Sequence, residues 1–280
     1  MFVRTTTSNT TTGTTHSLRR LGKSAHRLRT DTLRTGLLPA IGGLAILVVL
    51  WWLGTQWLQT QVPLAASLAP APTFTSLYGL LTSGELNTHI ITSLQRVLVG
   101  LGLALLIGMP LGLAVGASRA VESASSTAFQ FLRMISPLSW MPVAVMVFGI
   151  GDAPVYFLLT FAAVWPIMLN TAAGVRALDP SWLMLAKSLS ATRTELVRRV
   201  MLPGILGHIL TGVRLAIGVI WIILVPCEML GVSSGLGYYI LDTRDRMAYS
   251  ELMAVIVLIG ALGFLLDGLA RQALQRWARA

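Results

Sequence analysis

An ionisable residue inside an apolar run is costly, because little water is at hand to solvate its charge, and such residues tend to face a cavity or a partner. Glu228 stands in such a run, directly after Pro226 and Cys227. It reads either as a pathway or gate residue or as an interfacial glutamate that reaches water. Arg96 and Arg214 each stand near one end of an apolar run. They read as snorkelling or pair-forming side chains, or as fixed cations that could meet an anion. Their positions put Arg96 toward the outer leaflet and Arg214 toward the cytoplasm, so they are not expected to form one site. Catalysis has a weaker claim. The chain holds no zinc-protease motif, no nucleophile elbow and no paired carboxylates at a fixed helical spacing. His16, His26, His89 and His208 show no metal-ligand spacing, so no metal is expected, and a single cysteine excludes a disulfide framework within one chain.

These residues must be held by elements suited to lipid. Of 280 residues, 54% are hydrophobic and 11% charged. A soluble domain carries roughly 25% charged residues, so much of this surface must face something other than water. The reading is an all-α polytopic membrane protein. Six spans are expected, over about Gly36–Trp57, Thr88–Ser118, Phe129–Ile150, Ala153–Val175, Gly207–Leu230 and Leu252–Leu269. A short helix is expected over Thr73–Leu81. In the second span Gly100, Ala104, Gly108, Gly112 and Gly116 recur every fourth residue, a face of small residues that lets another helix approach closely. Pro110 is expected to bend that span.

The net charge of +10 would suggest nucleic acid in a soluble protein. Here the basic residues flank apolar runs, which points to orientation in a membrane and to anionic lipid, not to nucleic acid. Residues 1–35, the Arg119 loop, residues 176–206 and the tail after Leu269 hold sixteen Lys and Arg. The opposite loops hold two, Arg244 and Arg246. Both termini are therefore expected in the cytoplasm. Residues 1–35 form a polar, Thr-rich, basic segment expected to be a disordered tail. Residues 36–87 are expected to hold the first span and an outer loop, 88–270 the main helical core, and 271–280 a cytoplasmic tail. The outer loop 231–251 mixes Asp242, Arg244, Asp245, Arg246 and Glu251, with turns allowed at Gly231, Gly235 and Gly237.

The cytoplasmic segment 178–203 carries definite local structure. Asp179-Pro180 is a helix start. Trp182, Leu183, Met184, Leu185, Ala186 and Leu189 follow, then a turn at Ser190-Ala191. Thr192-Arg193-Thr194-Glu195 is a capping box that opens a second short helix, and Pro203-Gly204 is expected to interrupt it. The segment is more apolar than a solvated loop. It reads as a protein-docking element or as a connector lying in the lipid headgroups.

At this loop the sequence resembles the permeases of ABC importers. Their signature is Glu-Ala-Ala, three residues, Gly, nine residues, Ile, one residue, Leu-Pro. Anchored on Leu202-Pro203, it matches Ala186 and the aliphatic Val200, and departs at Met184, Leu185 and Ser190. Gly84-Glu85-Leu86, Ser93-Leu94-Gln95-Arg96-Val97-Leu98, Phe148-Gly149-Ile150-Gly151, Glu228-Met229-Leu230 and Gly235-Leu236-Gly237-Tyr238 look like the nitrate, sulfonate, taurine and bicarbonate subfamily. The resemblance covers about residues 70–270.

The resemblance implies a type I importer permease fold and a translocation pathway between two permease copies, by default a homodimer. It implies a cytoplasmic ATPase docked on each loop 178–203 through Met184, Leu185, Ala186, Ser190, Ala191, Arg193, Leu202 and Pro203. It also implies an extracytoplasmic solute-binding protein, a location in the cytoplasmic membrane, and a small anionic solute. Met184 and Leu185 offer apolar packing where the family has Glu-Ala, which suggests an ATPase with an apolar groove. The chain itself is expected to be neither an enzyme nor a cofactor binder. Gly22-Lys23-Ser24 looks like the end of a phosphate-binding loop, but Ser17 stands where its first glycine belongs. A secondary transporter should show inverted repeats and several intramembrane acids. A non-transporting scaffold would use 178–203 for some other protein.

Overall fold

The computed structural model describes residue 39 and residues 42–277. The expected tail 1–35, with His16, His26 and Gly22-Lys23-Ser24, lies outside the described residues, as do residues 278–280. The described chain is helical, with no strand among the described residues. It divides into two compact units, one ending at Pro70 and the other beginning at Ala71.

In the first unit, α1 covers Gly42–Gln59. Leu44, Leu47, Leu50 and Trp57 are exposed along it, as a lipid-facing helix requires. Pro63 opens a 3₁₀ helix, Pro63–Leu68, and the Trp51 indole N–H donates to the Leu68 carbonyl at 3.0 Å.

The second unit is built around α6, Asp152–Ala177. It packs against α3, Glu85–Ala117, on one side and α9, Leu202–Met229, on the other. The small-residue face of α3 makes this possible. A Cβ on Gly112 would lie 2.6 Å from the Met168 carbonyl oxygen, and one on Gly116 2.7 Å from the Val175 Cβ. Gly100 and Gly108 are equally tight against Leu159 and Val164, and Ala104 is fully buried. The resulting core joins Val97, Leu158, Leu159, Ile167, Ile220, Leu224 and Cys227. A second cluster unites α2, Pro70–Ser83, with α10, Leu236–Asp245, and α11, Tyr249–Trp277, through Leu80, Leu86, Leu236, Tyr239 and Leu258. α3, α6, α9 and α11 begin one to five residues before their expected spans, and α6 and α11 also run past the expected ends, because polar residues extend the helices beyond the apolar windows. Pro110 lies inside α3 without ending it.

The third span differs from expectation. The segment expected as one helix over 129–150 is the end of α4, Arg119–Met134, a 3₁₀ turn at Pro137–Trp140, and α5, Met141–Phe148. The two helical parts are bent by 85°. Proline disfavours the helical conformation in the residue before it, and Ser136 is accordingly extended, with ψ 127°. Pro142 sits in the first turn of α5, where its missing N–H leaves no helical bond unmade. Among the described residues, five helices are long and apolar enough to cross a membrane, or six if the bent pair is one span.

The fifth span also differs. Pro203-Gly204 does not interrupt the helix, which runs continuously over Arg193–Met229. A π-helical stretch, Leu196–Met201, precedes the proline, and the Leu202 N–H reaches back to the Val197 carbonyl. The wider turn accommodates a proline that a regular α-turn would exclude.

Candidate functional site

Segment 178–203, expected to dock a partner, is a helix–turn–helix at one end of the second unit. Its first helix, α7, Pro180–Ser188, begins at Asp179. The Asp179 Oδ1 accepts from the Ser181 amide at 2.9 Å and the Ser181 hydroxyl at 2.7 Å, and these bonds hold the carboxyl below its usual range. The helix ends in a Schellman turn. Ser190 takes a φ of +56°, and the Ala191 N–H donates to the Ala186 carbonyl at 3.1 Å. That left-handed position favours glycine, and it is where the importer signature has its glycine. The capping box forms: the Glu195 N–H donates to Thr192 Oγ1 at 3.3 Å, and the Thr192 N–H donates to Glu195 Oε2 at 3.0 Å. Thr192 thereby starts the three-residue α8, Arg193–Glu195.

The underside of the segment is anchored by Leu178, Leu183, Leu196, Val197 and Leu202 packed around Val175, Met201 and Ile205. Its outer side is apolar yet uncovered. Trp182, Met184, Leu185 and Leu189 are each more than half exposed. Trp182, Leu185, Ala186 and Leu189 line a groove of about 330 Å³ with Glu195 and Arg199 on its rim. Of the residues expected to dock a partner, Met184, Leu185, Ser190, Arg193 and Pro203 lie at the surface, Ala191 and Leu202 are half-buried, and Ala186 is buried.

At the opposite end, Arg96 and Glu228 meet. Arg96 Nη1 donates to Glu228 Oε1 at 2.7 Å and to the Ser234 carbonyl at 2.7 Å. Its Nε and Nη2 both donate to Asp152 Oδ1, at 2.8 and 2.6 Å. Glu228 also accepts from the Ser93 hydroxyl at 2.8 Å and from the Gly237 N–H at 2.9 Å. The Ser93 hydroxyl oxygen accepts from the Leu236 N–H at 2.9 Å. Glu228 and Ser93 thus satisfy two free amides at the start of α10, where a negative charge is favoured. Gly235 has φ +114°, and a Cβ there would lie 2.5 Å from both Arg96 and Glu228. The arginine is 2% exposed and the glutamate 0%, whereas Asp152 is 51% exposed. The cluster therefore ties α3, α6, α9 and α10 together, and neither Arg96 nor Glu228 lines the cavities described below. Sequence reading missed Asp152 and Ser93 as partners. Asp152 had a signal, being an acid in the first turn of the fourth span, on the outer side where Arg96 of the second span was expected.

Arg214 belongs to a separate pair. Its Nε donates to Asp267 Oδ1 at 2.8 Å, and Arg271 donates to Asp267 Oδ2 at 2.7 Å, joining α9 to α11. The charges of 231–251 also pair locally, Arg244 with Asp245 and Arg246 with Asp242 and Glu251. Burial pushes the Tyr239 phenol up to about 12, so it remains a donor to Glu85, at 3.0 Å. The Gly235 N–H lies 3.1 Å from His89 Nδ1. No group of three or more His, Cys, Asp or Glu is arranged to hold a metal among the described residues.

A cavity of about 410 Å³ opens between α6, α9 and the α4–α5 bend, lined by Arg133, Pro137, Trp165, Pro166, Asn170 and Val219 among others. A second cavity of about 190 Å³ shares Arg133, Trp165 and Leu169 and extends to Glu122 and Arg176. Sequence reading took Arg96 and Arg214 as fixed cations that could meet an anion. The structure pairs both with acids and adds Arg133 at a cavity wall.

A bundle of apolar spans with a capped, apolar helix–turn–helix at one end is the architecture of a polytopic membrane protein that carries an uncovered apolar surface outside its spans. The family model described as "Binding-protein-dependent transport system inner membrane component" matches residues 104–279. The bicarbonate transport system permease protein CmpB of Synechococcus elongatus is 33% identical over 255 residues, 86% of this chain and 89% of that protein. The taurine transport system permease protein TauC of Escherichia coli is 33% identical, covering 85% and 87%. The nitrate import permease protein NrtB of Leptolyngbya laminosa is 35% identical, covering 67% of each. Among solved structures, the inward-facing MetNI methionine ABC transporter matches at TM-score 0.59 and 17% identity, over 69% of this chain and 95% of that one, which speaks for the fold. The chain belongs to the binding-protein-dependent inner membrane component family: it is a permease subunit of an ABC importer.

Proposed function

We propose that this subunit carries a small oxyanion, of the bicarbonate, nitrate or sulfonate class, into the cell. It does so as one of two identical permease copies, with a cytoplasmic ATPase docked on loop 178–203 and a solute-binding protein on the opposite face. The observation that carries the docking assignment is the groove on α7. Four large apolar side chains stand uncovered on a segment whose own ends are fully capped, so the surface is rigid and available. The sixteen-to-two Lys and Arg asymmetry supports placing this end in the cytoplasm. The anionic solute is supported by the names of the relatives. ATP is then bound by the partner, whose closure swings the docked helices and turns the pathway outward.

Single cysteines at 184–193, in a Cys227→Ser background, test this against the co-expressed ATPase. Cross-links at Met184, Leu185 and Ser190 that change with ATP are the expected result. No cross-link at any of these positions, in a folded and inserted complex, refutes the docking assignment.

A further inference from the structure

We propose that Arg133, with the Trp165 indole N–H, forms a binding site for the translocated oxyanion midway along the pathway; this rests on the importer reading above.

Three observations carry it. First, depth: the residues that share the larger cavity with Arg133 lie between Ala162 and Asn170, inside α6 and away from both its ends, and between Leu215 and Ile223, likewise inside α9. An arginine this far from both ends of an apolar bundle faces water or a ligand, because lipid cannot solvate it. Second, charge balance: Arg96 and Arg214 are neutralised by acids, and Glu122, the acid of the adjoining cavity, pairs with Arg176. Arg133 makes no hydrogen bond or ion pair with any described residue. Its exposed guanidinium offers a planar fork of donors that matches a carboxylate-like or sulfonate oxyanion. Third, a second open donor: Trp165 is 8% exposed and lines both cavities, yet its indole N–H has no partner. A buried N–H without an acceptor costs free energy, and an oxyanion held by Arg133 would satisfy it.

The α4–α5 bend explains how the arginine gets there. Arg133 is the penultimate residue of α4, two residues before Ile135 leaves the helix and Pro137 turns the chain by 85°. The break delivers the end of an amphipathic helix to the middle of the bundle wall.

Leu169 lines both cavities, which makes it a reporter. In the purified complex, Leu169→Cys is labelled with an anionic or a cationic methanethiosulfonate reagent; native Cys227 is buried and serves as the internal control. An unpaired cation in a hydrated cleft should favour the anionic reagent by about tenfold. Arg133→Gln should abolish that preference, Arg133→Lys should keep it, and nitrate, bicarbonate or taurine should slow anionic labelling only when Arg133 is present. An unchanged reagent ratio in Arg133→Gln, or no labelling of Leu169→Cys at all, overturns the proposal. Labelling is compared in phosphatidylcholine and phosphatidylglycerol vesicles. Slowing by phosphatidylglycerol with no effect of the three solutes would assign the site to a lipid headgroup and also overturn it. ATPase cross-linking at 184–193 is scored separately, so failure of the docking assignment is distinguishable from failure of this one.

Discussion

Glu228→Gln isolates the worth of the buried ion cluster. The substitution keeps the side chain's shape and removes its charge. One carboxylate oxygen becomes an NH₂ group, and each oxygen faces a donor: Arg96 Nη1 and Ser93 on one side, the Gly237 N–H on the other. At least one N–H must then point at another donor. Removing one partner of a buried pair costs about 3–5 kcal/mol. Arg96 keeps Asp152 and the Ser234 carbonyl, and Asp152 is half exposed, so the expected loss lies at the lower end, about 3 kcal/mol. Arg96→Met should cost a similar amount by stranding Glu228. Because the two losses share one interaction, the double variant should fall short of their sum by about 2 kcal/mol. Reversible unfolding in mixed micelles titrated with dodecyl sulfate reads all three. Asp245→Asn, in an exposed pair, should stay within about 0.5 kcal/mol and calibrates the assay. A Glu228→Gln variant that also stays within that margin, or an additive double variant, would refute the claim that the cluster fastens this end of the bundle.

Two further outcomes follow from backbone geometry. Ser190→Gly should stabilise the docking segment by about 0.5–1 kcal/mol, because a left-handed residue with a Cβ is strained; the same titration and amide-exchange protection of α7 read it. Gly112→Ala should destabilise by about 1–3 kcal/mol through overpacking against Met168 and Thr171, whereas Gly102→Ala, with nothing within 4 Å, should be neutral or slightly favourable.

The local structure of segment 178–203 was legible because its signals are local. Asp179-Pro180 and the Thr192–Glu195 box act over three or four residues, and each makes the bonds its residue types can make. The face of α3 was legible for the same reason, since helical period alone aligns Gly100 through Gly116. The ion cluster was only half legible. Glu228 and Arg96 are conspicuous as charges in apolar runs, but 132 residues separate them, and no local pattern says that they meet. Their partner Ser93 looks like any serine. Two prolines misled in opposite directions. Pro137 breaks a segment that hydropathy joins, while Pro203 fails to break one, because a π-turn upstream absorbs it. Arg133 was hidden by the first of these errors: counted inside a continuous span, it had no reason to be placed at a cavity.

The continuity past Pro203 bears on how the two ends of the subunit communicate. Had the helix stopped there, the docking segment would be a hinged appendage, and motion of a docked ATPase would dissipate in the joint. Instead one helix of 37 residues runs over Arg193–Met229, about 55 Å at 1.5 Å per residue. Its first turn forms part of the docking groove and its last turn carries Glu228. Its second half, through Leu215 to Ile223, walls the cavity that Arg133 lines. One helix thus joins the cavity wall to the Glu228 cluster, with the π-turn at Leu196–Met201 between them and Arg193. The π-turn at Leu196–Met201 lies directly beneath the groove. Such turns are irregular and recur at functional sites. In the proposed docking, this irregular turn separates the groove from the part of the helix that walls the cavity.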